Sequence, residues 1–326
     1  MNPKPKLACS GFNRDHWHGR CDQEESGFAR RWHEEISEVN DTRPGVALVG
    51  FACHAGVVRN HGRAGAEAGP RALRRALSNV PLSGPCALYD AGDVFCHGDQ
   101  LEAAQEAFAH SVSHLLVNGH RVIGLGGGHE IALASFSGLL NACQQGGEAR
   151  PKIGIVNFDA HFDLRAGARG SSGTPFRQIS ERCARDGVDF NYHCFGISRF
   201  ANTAALFARA RELGVQWRED EQLTLLDLPA AQAELQAFAA SVDHLYLTIC
   251  LDVLPPALAP GVSAPAARGV ELAVLEPLLD TAVASGKLKL FDLAELNPEL
   301  DQDMRTARIA ARLAARVMEG WSHHDA

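Results

Sequence analysis

The stretch KIGIVNFDAHFDLR, residues 152–165, is apolar up to Phe158 and then sets Asp159, His161 and Asp163 at two-residue spacing. A short apolar run of this kind reads as a buried strand. In an extended chain residues i, i+2 and i+4 point to one side. A strand running on through Asp163 would therefore gather two carboxylates and an imidazole in one small volume. Left unpaired, the carboxylates would repel, and removing them from water would cost on the order of several kcal/mol. A divalent cation relieves both problems. The alternative is a solvated strand end with two surface Asp and an isolated His, but the D-A-H-x-D pattern behind Ile153, Gly154, Ile155 and Val156 favours the cation.

The same pattern of strand and helix repeats on both sides of this stretch. Upstream, residues 45–53 (GVALVGFAC) predict a strand, and 68–77 open a helix with Pro70 in its first turn. Residues 87–94 predict a short strand, 100–119 an amphipathic helix ending at Gly119, 121–127 a buried strand, and 130–143 a helix. Downstream, a long loop over 165–178 leads to a strand at 189–198 and a helix at 203–214. Residues 228–241 are helical, 244–253 a strand, 271–285 a helix, 288–296 the last strand, and 304–321 the last helix. Apolar strands alternating with amphipathic helices imply a parallel sheet covered on both faces. Ligands of such sheets gather beyond the carboxyl ends of the strands.

Residues 1–44 are polar and rich in Arg, His and Glu, with a short helix expected around residues 25–39, and read as an extension that packs on or caps the rest. Residues 45–326 show no linker or repeat and read as a single domain. The chain has 326 residues, 46% of them hydrophobic, enough for a sizeable core. A formal charge of −8 argues against a partner held by nucleic-acid phosphates. No apolar run approaches the roughly 20 residues of a membrane span, and the N-terminus shows no apolar signal region. Nine scattered cysteines with no C-x-x-C pair suggest reduced thiols and a cytoplasmic location.

Other strand ends carry chemistry too. In VIGLGGGHEIAL, residues 122–133, His129 follows a glycine run. The run lacks both the Lys-Ser/Thr of a P-loop and the G-x-G-x-x-G spacing, which argues against a nucleotide site. The glycines instead allow a tight turn that brings His129 toward neighbouring strand ends, where it serves as a ligand or as a structural histidine. Cys250 and Asp252 sit two apart after a largely apolar run; a buried Cys is commonly a small hydrophobe, whereas Asp252 has no such role. Pro255, Pro256, Pro260 and Pro265 make the following loop a stiff wall. Asp292 and Glu295 end the last strand.

Together these segments resemble the ureohydrolase (arginase/agmatinase) superfamily, and within it the formiminoglutamase branch. The likeness spans roughly residues 46–320. It runs in order through GVVRNHGRAGAEAGPRALR (56–74), GGGHE (126–130), DAHFDLR (159–165), SSGTPFRQ (171–178), LDVLPPALAPGVSAPA (251–266) and ELNPE (295–299). The resemblance implies a three-layer α/β/α sandwich around a mainly parallel eight-stranded sheet, with residues 45–326 as the catalytic domain. It also implies hydrolysis of a guanidino or formimino C–N bond with a pair of Mn2+ ions.

Position by position, the resemblance makes His129, Asp159 and Asp163 ligands of one metal, and His161 and Asp252 ligands of the other, with Asp159 bridging. The family's second bridging Asp falls on Cys250, which places the second Mn2+ site in question. Glu295 matches the carboxylate that grips the amidinium or guanidinium end of the substrate. Asp163 and Glu295 are thus the expected catalytic residues. Arg165 stands where arginases have an Asn at the amino-acid end of the substrate, and Ser172 where arginases and agmatinases carry a loop His. An Arg suits a dianionic substrate; Arg177 and Arg199 are weaker candidates for the same contact. The expected activity is hydrolysis of N-formimino-L-glutamate, a step of histidine breakdown. A guanidino acid such as guanidinobutyrate is the nearest alternative substrate, and a non-catalytic metal-binding relative the alternative from another class. The expected partner is a small anionic amino acid, with no nucleic acid and no membrane; self-association into a homo-oligomer is left open.

Overall fold

A computed structural model of the chain describes residues 9–22, 24–25, 29–84 and 86–324. Among these residues nine strands are formed: β1 Ser37–Glu38, β2 Val46–Ala52, β3 Leu88–Phe95, β4 Arg121–Leu125, β5 Ile153–Phe158, β6 Asn191–Ile197, β7 Gln216–Glu219, β8 His244–Cys250 and β9 Leu288–Ala294. The helices are α1 Trp32–Glu35, α2 Ala55–Arg59, α3 Gly69–Leu77, α4 Leu101–Val117, α5 Ile131–Gln145, α6 Pro175–Asp186, α7 Ala204–Glu212, α8 Leu228–Ala240, α9 Leu272–Ala284 and α10 Arg305–His324.

The strands form one sheet in the order β1-β3-β2-β4-β9-β8-β5-β6-β7, and every pairing is parallel. Alternation along the strands sorts side chains onto two cores. Leu48, Ile123, Val156, Leu247 and Phe291 face one layer, with side chains of α3, α8, α9 and α10. Ala47, Val49, Val122, Ile155 and Tyr246 face the other, with α4, α5 and α6. Both faces are therefore buried, which explains why the central strands read as continuous apolar runs. The result is an α/β/α sandwich, with nine strands rather than eight.

The extra strand comes from the N-terminal segment. Ser37 and Glu38 pair with Tyr89 and Asp90 and cover the edge of β3; two exposed polar residues carry no apolar alternation to signal a strand. Trp17 and Trp32 of the same segment are buried against the main core. The helix expected around 25–39 shortens to α1, Trp32–Glu35, and residues 26–28 of that range lie outside the described residues. Helix α6 occupies part of what reads as a long loop. It has Pro175 in its first turn and Phe176, Ile179 and Cys183 buried on one side.

Candidate active site

Four adjacent strands, β4, β9, β8 and β5, end at the same rim of the sheet and deliver the residues of interest. Between β4 and β9 the backbone is tightly packed. A Cβ on Gly126, Gly127 or Gly128 would lie 2.2 Å from Leu293 O, 1.9 Å from Cys53 O and 2.1 Å from Glu130 Oε2, respectively. The glycine run thus serves close backbone approach and delivers His129 to the rim.

Strand β5 stops at Phe158, so the D-A-H-x-D residues converge through a turn and not along an extended strand. Asp159 Oδ1 accepts the His161 N–H at 2.7 Å, an Asx-type turn. Asp163 then adopts the left-handed region, φ 49°. A non-glycine residue holds that conformation at a cost of about 1 kcal/mol or more, and such strain clusters at functional sites.

The side chains form two touching groups that share Asp159. His129 Nδ1 lies 2.9 Å from Asp159 Oδ2 and 3.0 Å from Asp163 Oδ2. His161 Nδ1 lies 3.4 Å from Asp159 Oδ1 and 3.2 Å from Asp252 Oδ2. One donor atom each from His129, Asp159 and Cys250 fall within 4.8 Å of one another, as do atoms of Asp159, His161 and Asp252. Each Asp159 oxygen thus faces a different group. His129 Nδ1, although close to two carboxylates, makes no aligned hydrogen bond, and Asp252 Oδ1 is buried without a partner. Buried lone pairs that converge without bonding one another fit an ion at their focus.

Electrostatics point the same way. Burial opposes charge on His129 and His161, yet the surrounding carboxylates raise both imidazoles well above their usual range. Burial and then the Asp159 charge push Asp163 up to about 6. Burial also raises the Cys250 thiol, helped by Asp159 and Asp252. The cluster is negative and desolvated, so it favours positive charge, supplied by protons or by a metal. Three carboxylates and two imidazoles are hard and borderline donors suited to Mn2+; the Cys250 sulfur is the soft exception.

Glu295 follows β9 in the left-handed region, φ 70°, and its Oε1 accepts the His129 N–H at 2.8 Å. Burial, and next the nearby Glu130, push its carboxyl up to about 8. Around the adjoining loop, Arg165 is exposed, with no side-chain partner among the described residues, while its backbone N–H donates to Gly173 O at 2.9 Å. Ser172 is buried and its Oγ accepts from Asn60 Nδ2 at 3.2 Å. The other arginines are committed elsewhere: Arg177 bonds Arg165 O, Gly167 O and Glu181, and Arg199 pairs with Glu219.

Residues that sequence reasoning passed over orient the cluster. Thr248 Oγ1 lies 3.1 Å from His129 Nε2, which leaves Nδ1 as the ring atom facing the carboxylates. Asn157 Nδ2 donates to Asp159 Oδ2 at 3.2 Å, and Asn202 bonds the backbone of Ala160 and Phe162. Thr248 and Asn157 were each visible as the polar member of an otherwise apolar strand. Asn202 carries no such signal.

The model of the arginase family matches residues 44–319. Formimidoylglutamase of Ralstonia nicotianae is 58% identical over 307 residues, spanning 93% of this chain and 94% of that protein. Formimidoylglutamase of Aeromonas hydrophila is 53% identical, spanning 93% and 96%. Among solved structures, Trypanosoma cruzi formiminoglutamase with Mn2+ is similar at a TM-score of 0.79 and 26% identity, over 90% of this chain and 99% of that one. The chain belongs to the arginase family, in its formiminoglutamase branch.

Proposed function

We propose that this chain hydrolyses N-formimino-L-glutamate to L-glutamate and formamide, with Mn2+ as its metal. The observation that carries the reading is the pair of side-chain groups sharing Asp159, beside a buried Glu295 and an exposed Arg165 with no side-chain partner among the described residues. The 58% identity to a formimidoylglutamase over nearly the whole chain supports the same substrate. His129, Asp159, Asp163 and Cys250 would hold one ion, and Asp159, His161, Cys250 and Asp252 the other. A bound divalent pair would supply water of lowered pKa, about 7 in well-studied metal sites.

This chain's own residues do the rest. Glu295 binds the amidinium end of the substrate and fixes its carbon. Water oxygen bonds to that carbon, and the bond to the α-nitrogen breaks. Asp163 takes a proton from the water and returns one to the leaving nitrogen. Arg165 and Ser172 bind a carboxylate of the glutamate end. Residues 45–326 form the catalytic domain, with 1–44 as its extension. We place the reaction in histidine breakdown, and in the cytoplasm on the scattered cysteines that form no C-x-x-C pair. Assay of the Mn2+-loaded protein for formamide and for urea, against formiminoglutamate, guanidinobutyrate and agmatine, tests the proposal. Formamide from the first supports it, and urea from either guanidino compound at a higher rate overturns it.

A further inference from the structure

The segment 54–65, carrying the N-x-G-R motif, touches three loops around the rim. Arg59 donates to Gly170 O, and also to Asp99 and Glu102. Arg63 donates to Val262 O and Ser263 O. Asn297 donates to Ala64 O at 2.7 Å, and a Cβ on Gly65 would meet its amide at 2.3 Å. Each of these side chains bonds two or more protein groups. Asn60 makes a single side-chain bond among the described residues, to Ser172 Oγ.

Gly173 marks what surrounds Asn60. A Cβ there would lie 2.8 Å from Arg165 Cδ and 3.0 Å from both amide heteroatoms of Asn60. Arg165, Ser172 and Asn60 therefore meet around one glycine of the loop that follows Asp163, and no carboxylate pairs with any of the three among the described residues. Because Asn60 Nδ2 donates to Ser172 Oγ, the serine hydrogen is left to point at another acceptor. Asn60 keeps its second N–H as well. A guanidinium, a hydroxyl and an amide N–H together make a donor set for a carboxylate. Arg59 is no part of it, since Asp99 and Glu102 neutralise its charge.

We infer that Asn60 is a specificity-determining residue, which sets the Ser172 hydroxyl as a donor and completes with Arg165 a receptor for a substrate carboxylate. This rests on the proposed substrate but is testable without turnover. Asn60→Asp keeps the shape, reverses the hydrogen bond to Ser172 and adds negative charge where a carboxylate would sit. With Mn2+ loaded, L-glutamate binding is measured by calorimetry on the wild type, Asn60→Asp and Asn60→Ala, alongside KM and kcat for formiminoglutamate.

The expected result is at least tenfold weaker L-glutamate binding and a matching rise in KM for Asn60→Asp, with a smaller loss for Asn60→Ala. Metal content should be unchanged and kcat within about threefold. Equal binding by Asn60→Asp and the wild type, or no binding by the wild type, overturns the inference, as does a loss confined to kcat or accompanied by loss of metal. Absence of formamide release by a wild type that still binds L-glutamate, with Asn60→Asp impaired, would sink the proposed reaction and leave the receptor standing.

Discussion

The backbone N–H of His129 donates to Glu295 Oε1 at 2.8 Å, and the Glu295 N–H donates to Gly127 O at the same distance. The carboxylate proposed to bind the amidinium is thereby fixed to the loop that presents the His129 imidazole. The proposed substrate and metal positions are thus tied to one short backbone segment.

Glu295→Gln retains an oxygen for the His129 N–H but cannot ionise to pair with an amidinium. Turnover should fall by at least about tenfold, equivalent to roughly 1.4 kcal/mol of transition-state stabilisation, with metal content unchanged by elemental analysis. Loss of metal would make Glu295 a ligand, and near-normal turnover would make it a plain strand end.

Thr248→Val tests the orientation of His129. Valine preserves shape and burial but cannot bond Nε2, so the imidazole loses its outer partner. Removing such a partner commonly weakens metal binding by about 10–100-fold. A Mn2+ titration of the metal-stripped protein reads this directly, and affinity within twofold of the wild type would contradict it.

Arg165→Ala should raise KM for formiminoglutamate well above its effect on kcat, because the lost contact lies at the far end of the substrate. The unmodified protein should turn over dianionic formiminoglutamate faster than cationic agmatine. Unchanged constants in the variant, or faster hydrolysis of agmatine, would remove Arg165 from the site.

Much of this was legible from period and spacing. Strands buried on both faces and helices with one apolar stripe specify the layered sheet, and polar residues at strand ends stand out against apolar runs. What spacing could not show was how the chain turns. The D-A-H-x-D residues converge because Asp159 accepts the His161 N–H and Asp163 takes φ 49°, not because β5 continues. The strands β1 and β7 escape notice since each is short and lacks buried alternation. Helix α6 was readable: Pro175 followed by Phe176, Ile179 and Cys183 is helical spacing, overlooked beside a glycine-rich loop. Asn60 lies in the quoted stretch 56–74, but its contact with Ser172, like that of Asn202 with Phe162, joins distant segments and is encoded by no local spacing.

Arg74 ties the N-terminal segment to the sheet. It is fully buried, bonds Asp90 twice and Asp93 at 2.5 Å, and Trp17 Nε1 donates to the same Asp90 at 2.8 Å. Arg74→Ala would strand two buried carboxylates. The expected cost is about 3–5 kcal/mol, read by urea unfolding at fixed Mn2+ concentration. A change below about 1 kcal/mol would show that water replaces the guanidinium.

The Cys250 sulfur raises the question of metal number. A carboxylate can offer one oxygen to each of two ions, and Asp159 is arranged to do so. A thiol must ionise to bind well, yet burial and the adjacent carboxylates raise Cys250 above its usual range. Two cations nearby would oppose that rise, but Mn2+ gains less from sulfur than a softer ion such as Zn2+ does. In the proposed arrangement His129, Asp159 and Asp163 would still give one site three suitable ligands, and His161 with Asp252 would keep much of the other. One of the two ions should accordingly be held weakly, or be replaced by a softer one. Cys250→Asp should raise Mn2+ occupancy toward two per chain and make activity less sensitive to thiol oxidants. Two tightly bound Mn2+ in the unmodified protein, unaltered by the substitution, would show that the sulfur bridges as well as a carboxylate does.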